Sequence, residues 1–220
     1  MPGEISLAHN GVLFLDELPE FRRNVLEVLR QPMEDGSVTV ARVANTLTYP
    51  AKFMLVAAMN PCPCGYFTDS KRECHCTPFQ IQSYLSKISG PLLDRIDIHL
   101  EVPRLKYEHL TDKRRGEASE EIRKRVDAAK VVQKDRYKAD NVLFNAHLES
   151  KELEKYCVLD KEAEELLKLA ILELGISARA YDKILKVSKT ISDLEGKDII
   201  EAYHISEAIS YRSLDRNLWG

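Results

Sequence analysis

The sequence predicts a mixed chain: α/β over its first hundred residues, followed by an all-α part. Three observations carry that prediction. Two short, continuous apolar runs, Gly11-Val12-Leu13-Phe14-Leu15 and Phe53 to Met59, each stop abruptly at polar residues, as strands buried on both faces do. Between them, Val38-Thr39-Val40 and Thr46-Leu47-Thr48-Tyr49 flank Val43-Ala44-Asn45, the pattern of a β-hairpin. After Pro103 the apolar residues recur at helical spacing instead.

The elements follow in order. Arg22 to Arg30 carries Val25, Leu26 and Leu29 on one helical face, with Pro32 placed to stop it. Gln80 to Ile88 reads as a short helix, followed by Gly90-Pro91. Ile96 to Val102 alternates apolar and polar residues like a further strand. The boundary falls near residues 104–116, in a charged stretch that includes Lys113-Arg114-Arg115-Gly116. Two domains are therefore expected, 1–105 and 106–220. In the second, Glu117 to Tyr137 holds the stripe Ile122, Val126, Ala129 and Val132. Asp160 is a good N-cap for a helix running to Leu174, with Gly175 as its stop. Ser177 caps the next helix, Ala178 to Leu194, and His204 to Tyr211 forms a last short one.

Composition narrows the function classes. The 220 residues are 44% hydrophobic and 30% charged, which suffices for a sizeable core. No apolar run approaches the ~20 residues of a membrane helix, so no membrane partner is expected. Met1-Pro2-Gly3-Glu4 lacks the basic-then-apolar pattern of a secretory signal, which leaves the cytoplasm as the expected compartment. The formal net charge is −3, so any nucleic-acid contact has to be local.

The first chemical signal is Asp16-Glu17. An apolar strand ending in Asp-Glu fits a Walker B motif, which sets two carboxylates at the carboxyl edge of a parallel sheet, where nucleotides bind. The first can hold Mg²⁺ and the second can polarise an attacking water. Taken alone, the same residues also fit a strand that ends in a polar turn. The second signal is a cysteine cluster. Cys62-Pro63-Cys64 and Cys74-His75-Cys76 are two Cys-x-Cys pairs flanking a loop whose Asp69, Lys71, Arg72 and Glu73 suit solvent, not a core. Four thiolates from two tight turns can form a closed tetrahedral Zn²⁺ site of structural type. His75 is an alternative ligand, and four reduced thiols in a mobile loop is the competing reading. Cys157 stands apart and reads as a small core residue.

Longer stretches extend the first signal. Gly11-Val12-Leu13-Phe14-Leu15-Asp16-Glu17-Leu18-Pro19-Glu20-Phe21, Ala57-Ala58-Met59-Asn60-Pro61-Cys62-Pro63-Cys64-Gly65 and Ser89-Gly90-Pro91-Leu92-Leu93-Asp94-Arg95-Ile96-Asp97 resemble successive blocks of the magnesium-chelatase-like AAA+ ATPases. The likeness is to the ComM/YifB branch. It continues through Ser177-Ala178-Arg179-Ala180-Tyr181 to Glu207-Ala208-Ile209-Ser210-Tyr211-Arg212. The resemblance implies a partial AAA+ P-loop NTPase core followed by a helical lid domain. Asp16 and Glu17 become the Walker B pair, Asp16 on Mg-ATP. Asn60 becomes sensor I, an amide that can donate and accept beside phosphate; locally it also fits a turn before Pro61. Arg95 becomes the arginine finger presented to a neighbouring subunit, against the plainer reading of an ion cluster with Asp94 and Asp97. Arg179 becomes sensor II, acting in cis or in trans. The hairpin becomes the pre-sensor I hairpin, with Arg42 near its tip as the candidate DNA contact.

One element is missing. A P-loop needs Gly-x4-Gly-Lys-Ser/Thr; the sole Gly-Lys, Gly196-Lys197, is followed by Asp198 and has Ile191 where the first glycine belongs. The resemblance thus implies that the chain starts inside the AAA+ core, past the P-loop strand and helix, and that it does not hydrolyse ATP by itself. For the parent protein it implies a hexameric ring that hydrolyses ATP, with Mg²⁺ and a structural Zn²⁺, to remodel DNA by branch migration in competence and recombination. The alternatives are a magnesium-chelatase motor inserting Mg²⁺ into porphyrin, and a non-enzymatic zinc or DNA-binding module.

Overall fold

The computed structural model describes residues 3–42, 45–69, 71–103, 116–140 and 142–212, without the side chains of Arg42 and Asn45. They form two compact units, one running to Ile96 and one beginning at Asp97. Among the described residues no helix is long and apolar enough to cross a membrane.

The first unit opens with a single helical turn, α1 (Glu4–Leu7), and the strand β1 (Val12–Leu15). Two short helices follow, α2 (Arg23–Val28) and α3 (Arg30–Asp35). Pro32 does not stop the helix as expected. It is the third residue of α3, in the first turn, where a missing N–H leaves no helical bond unmade. The stop is Gly36, at φ +61°. A side chain there meets Lys52, whose Cγ would lie 2.9 Å from a Cβ. Gly36 also closes the base of the expected hairpin, accepting from Ala51 N at 2.8 Å. The hairpin pairs β2 (Ser37–Arg42) with β3 (Asn45–Pro50) in antiparallel register, Thr39 opposite Thr48 with their hydroxyls 3.0 Å apart. Then β4 (Met54–Ala57) returns to pair in parallel with β1. Two helices complete the unit, α4 (Pro78–Leu85) and α5 (Gly90–Leu93).

The core of this unit is small. Leu18, Leu26, Leu29, Ile88, Leu92 and Leu93 are buried together, with Leu13 and Leu15 of β1 packed against them. The expectation of strands buried on both faces is not met. Val12, Phe14, Met54 and Val56, level with one another in the β1–β4 register, are all exposed. The reason is local: the side chains of a strand alternate between faces, and the core lies against the Leu13–Leu15 face.

The second unit is helical. Ile96 to Val102, expected as a strand, form none; His99 N donates to Tyr211 O instead. Alternation without a ladder partner does not make a strand. The helices are α6 (Ser119–Arg136), α7 (Ser150–Tyr156), α8 (Lys161–Leu174), α9 (Ala178–Leu194) and α10 (Ala202–Ser210). Asp160 caps α8 through Ala163 N, and Ser177 caps α9 through Ala180 N, both as expected. Tyr137, Leu148, Leu153, Leu167, Ile184, Ile200 and Ile205 share one core, with Cys157 buried in it. Burial pushes the Cys157 thiol up to about 11, so it stays a neutral packing group.

Candidate functional site

The site is built on the register of two strands. Leu15 of β1 stands level with Ala57 of β4, so the chain leaves both strands at one edge. Asp16-Glu17 follow the first and Ala58-Met59-Asn60 the second. Two backbone bonds lace the exits together: Ala58 N donates to Leu15 O and Leu18 N to Ala58 O, each at 2.9 Å. Asp16, Glu17 and Asn60 are exposed there.

Glu17 is strained. Its φ of 50° and ψ of 49° lie in the left-handed region, which for a residue with a Cβ costs about 1–3 kcal/mol. Two features hold it there. Glu17 N donates to Asp16 Oδ1 at 2.9 Å. The 3₁₀ turn Leu18–Glu20 that follows buries Leu18 and Pro19. No residue type at 17 signals this turn in the sequence. Its consequence is to turn two successive carboxylates out at one edge.

Asn60 sits against the cysteine loop. Gly65, at φ +80°, lies beside it: a Cβ there would sit in ordinary contact, 3.9 Å from the Asn60 amide carbon and oxygen. Beside it is Tyr84 of α4, buried. Burial raises its hydroxyl's pKa, Glu20 reinforces that, and a backbone hydrogen bond with Asn60 opposes it. Sequence reasoning did not find Tyr84, which reads there as an ordinary helix-face aromatic.

The structure brings the four cysteines together. Cys62 Sγ lies 3.3 Å from Cys64 Sγ and 3.7 Å from Cys74 Sγ; Cys64 and Cys74 are 3.6 Å apart. All four sulfurs, Cys76 included, lie within 4.8 Å of one another. A tetrahedron of sulfurs about 2.3 Å from a zinc ion has edges of about 3.8 Å, so the donor set fits that ion in number, type and spacing. Without a cation the thiols split. A backbone hydrogen bond from Tyr66 and bonds from its neighbours bring Cys64 down to about 6. Cys74 is pushed up to about 12, against a backbone bond from Cys76, by desolvation and the other sulfurs. Desolvation raises Cys76 as well. One thiolate forms readily and resists a second, which is the repulsion a dication relieves. The loop has order of its own: Asp69 Oδ1 accepts from Lys71 N and Arg72 N, and Arg72 bonds Tyr66 Oη at 2.6 Å. His75 is exposed.

The arginines are placed differently. Arg95 follows α5, and its side chain is only 8% exposed; Nη2 meets Glu34 Oε1 at 2.6 Å and Nη1 donates to Pro91 O at 2.6 Å. Its partner across the unit is Glu34 of α3, a contact that nothing local in the sequence announces. Asp97, by contrast, pairs with Lys183. Arg179 is exposed in the first turn of α9. Arg42 ends β2, and its side chain lies outside the described residues.

Comparison with known proteins agrees with the pattern of these elements. Residues 1–110 match the family described as Magnesium chelatase, subunit ChlI, and residues 116–212 match Magnesium chelatase, subunit ChlI C-terminal. The chain belongs to the magnesium-chelatase-like family. Competence protein ComM of Haemophilus influenzae is 47% identical over 218 residues, 99% of this chain and 42% of that protein. A protein of Escherichia coli called YifB is 47% identical over 219 residues, with the same two shares. The Magnesium-chelatase subunit ChlI of Chlorella vulgaris is 25% identical over 198 residues, 89% of this chain and 48% of that one. The chain thus spans about 42% of the length of the ComM and YifB relatives. A mixed α/β unit with a helical C-terminal part is consistent with a magnesium-chelatase-like AAA+ region.

Proposed function

We propose that this chain is part of a ring-forming AAA+ ATPase that couples ATP hydrolysis to the remodelling of DNA. The observation that carries the reading is the shared edge, where parallel register brings the chain out of β1 into Asp16-Glu17 and out of β4 towards Asn60. Asp16 would hold the magnesium of Mg-ATP, which supplies the phosphoryl group when bound. Glu17 takes the proton side of the reaction, orienting and polarising water from a backbone in the left-handed conformation. Asn60 orients the same water through an amide that does not repel phosphate. Arg95 stabilises the charge developing at a neighbouring subunit's phosphate, and Arg179, in the helical lid, senses nucleotide. A hexamer supplies the neighbours.

The four cysteines near Asn60 would hold a structural Zn²⁺, a set of four thiolates that fills a tetrahedral site and gives the ion a folding role, not a catalytic one. DNA as the substrate is supported by the 47% identity to a protein named for competence, and the hairpin with Arg42 is the element offered to it. A porphyrin-directed motor is the second reading, favoured by the family's name; the lower, 25% identity to a named chelatase subunit weighs against it.

The full-length parent protein tests this. Glu17→Gln should lower ATP turnover about 10²-fold or more while ATP still binds, because it removes a group used in the transition state. Duplex or branched DNA should stimulate the wild type. Full activity of Glu17→Gln, or indifference to every DNA, overturns the corresponding half of the proposal.

A further inference from the structure

A guanidinium cannot shed its charge, so a buried one must be held by acceptors. Arg95 is nine-tenths buried, and two of its acceptors are of different kinds. Pro91 O is local, one helical turn back, and fixes the side chain to its own segment. Glu34 Oε1 comes from another element, α3, and is itself 42% exposed. Its reach across the unit helps to keep the guanidinium folded inward. A trans-acting arginine has to leave this position to meet a neighbour's nucleotide. The contact it leaves joins the buried guanidinium to a carboxylate that is itself 42% exposed, so water can solvate Glu34 when Arg95 departs. A polyphosphate presents more charge and more acceptor oxygens than one carboxylate, and a guanidinium fork matches it.

We propose that Glu34 is a positioning residue for Arg95: it keeps the guanidinium docked on its own unit until a neighbour's phosphate competes for it, and so holds down hydrolysis between productive engagements. The proposal rests on the reading of Arg95 as the residue that acts across the ring. Glu34 does not touch the reacting atoms. Its effect is on how often Arg95 is free to do so.

The test uses the full-length protein in the absence of DNA, comparing wild type, Glu34→Gln, Arg95→Ala and the double variant. Neutralising Glu34 leaves a near-isosteric side chain that can still accept a hydrogen bond but no longer attracts the guanidinium by charge, so the dock is weakened. It should raise kcat about 3- to 10-fold, with KM for ATP within about two-fold of wild type, since the change acts on the population of the free arginine and not on nucleotide binding. In the Arg95→Ala background the same substitution should change nothing, because no guanidinium is left to release. A purely structural role for Glu34 predicts the reverse: a lower kcat in the single variant and a lower melting temperature in both backgrounds. A kcat at or below wild type in folded Glu34→Gln, with Arg95→Ala inactive, overturns the latch and leaves the finger standing. Wild-type activity of Arg95→Ala overturns the finger reading and the latch with it. Should Glu34→Gln not fold, Glu34→Asp, which keeps the charge but shortens its reach, is judged by the same criteria.

Discussion

The helical unit and the α/β unit solve the problem of staying folded in different ways. From Tyr137, at the end of α6, a continuous apolar core runs on through α10, and beside it a buried polar network is paired. Asp193 sits at the centre, taking a two-bond contact from Arg136, a bond from the Asn145 amide and an ion pair from Lys189 at 3.0 Å. Lys189 is 1% exposed and also donates to the Asp198 carbonyl. The α/β unit has a smaller core and leaves one face of its two-stranded sheet exposed. Its devices are polar side-chain contacts: the cysteine cluster, the Arg95–Glu34 pair and the capped start of α4. Apart from Arg179, the residues proposed for chemistry lie on the second kind of scaffold. Its stability should therefore respond to metal and to single side chains, while the helical unit should ignore the metal altogether.

The largest break in that comparison should come from zinc. Protein purified under reducing conditions should carry one zinc per chain by elemental analysis, and Cys74→Ser should carry far less. Structural zinc contributes on the order of 10 kcal/mol of apparent binding energy in small metal-organised folds. Even at free zinc a thousand-fold above Kd, loss of the site should remove about 4 kcal/mol from the α/β unit. Hydrogen exchange should show faster opening around residues 60–85, with protection of Tyr137, Ile184 and Ile205 unchanged. Zinc-free protein with the same protection everywhere contradicts the metal assignment.

Next in size is Asp193→Ala. It strands a nearly inaccessible Lys189 and the largely buried Arg136 without their carboxylate, a change expected to destabilise the helical unit by about 3–5 kcal/mol in urea titrations. Acid should act in the same direction. Burial alone raises the Asp193 pKa, but bonds from Arg136, Asn145 and Lys189 outweigh it and hold the carboxyl below its ordinary value. A carboxylate depressed in the folded state adds stability that is present above the unfolded pKa of about 3.9 and is lost as pH falls through the folded value. Wild-type helical stability should thus decline below about pH 4, and Asp193→Ala should lack that part of the decline.

What the sequence disclosed follows from where the determining forces act. The caps Asp160 and Ser177 were legible because capping is decided within four residues. The hairpin was legible from its β-rich flanks, and the cysteines from their spacing. Pro32 misled because its meaning depends on position within a turn, and the turn begins at Arg30, not Arg22. Ile96 to Val102 misled because alternation describes a face, whereas a strand also needs a partner. Neither the strained Glu17 nor the docking of Arg95 on Glu34 has a local signature. The first depends on the burial of Leu18 and Pro19, the second on how α3 and α5 pack. At the candidate site the residue types could be read in advance, but not their conformations.

The smallest effect sharpens the comparison most, because it asks whether the polar devices of the α/β unit act together. Thr77 directly follows Cys76 and caps α4: its hydroxyl accepts from Gln80 N at 3.3 Å, and the Gln80 side chain accepts from Thr77 N at 2.8 Å. Thr77→Ala should cost about 1 kcal/mol, the usual value of such a cap. With zinc bound, the metal already fixes Cys76 and so the direction in which the chain enters α4; without it, the cap is the remaining restraint. The loss from Thr77→Ala should therefore be larger in chelated protein than in zinc-loaded protein, by about 0.5 kcal/mol or more, as expected for neighbours that share a segment. Equal losses in the two states would mean that loop and helix are held independently. Unequal losses would mean that the metal also orders α4, whose buried Tyr84 stands beside Asn60, and so reaches the edge where Asp16 and Glu17 lie.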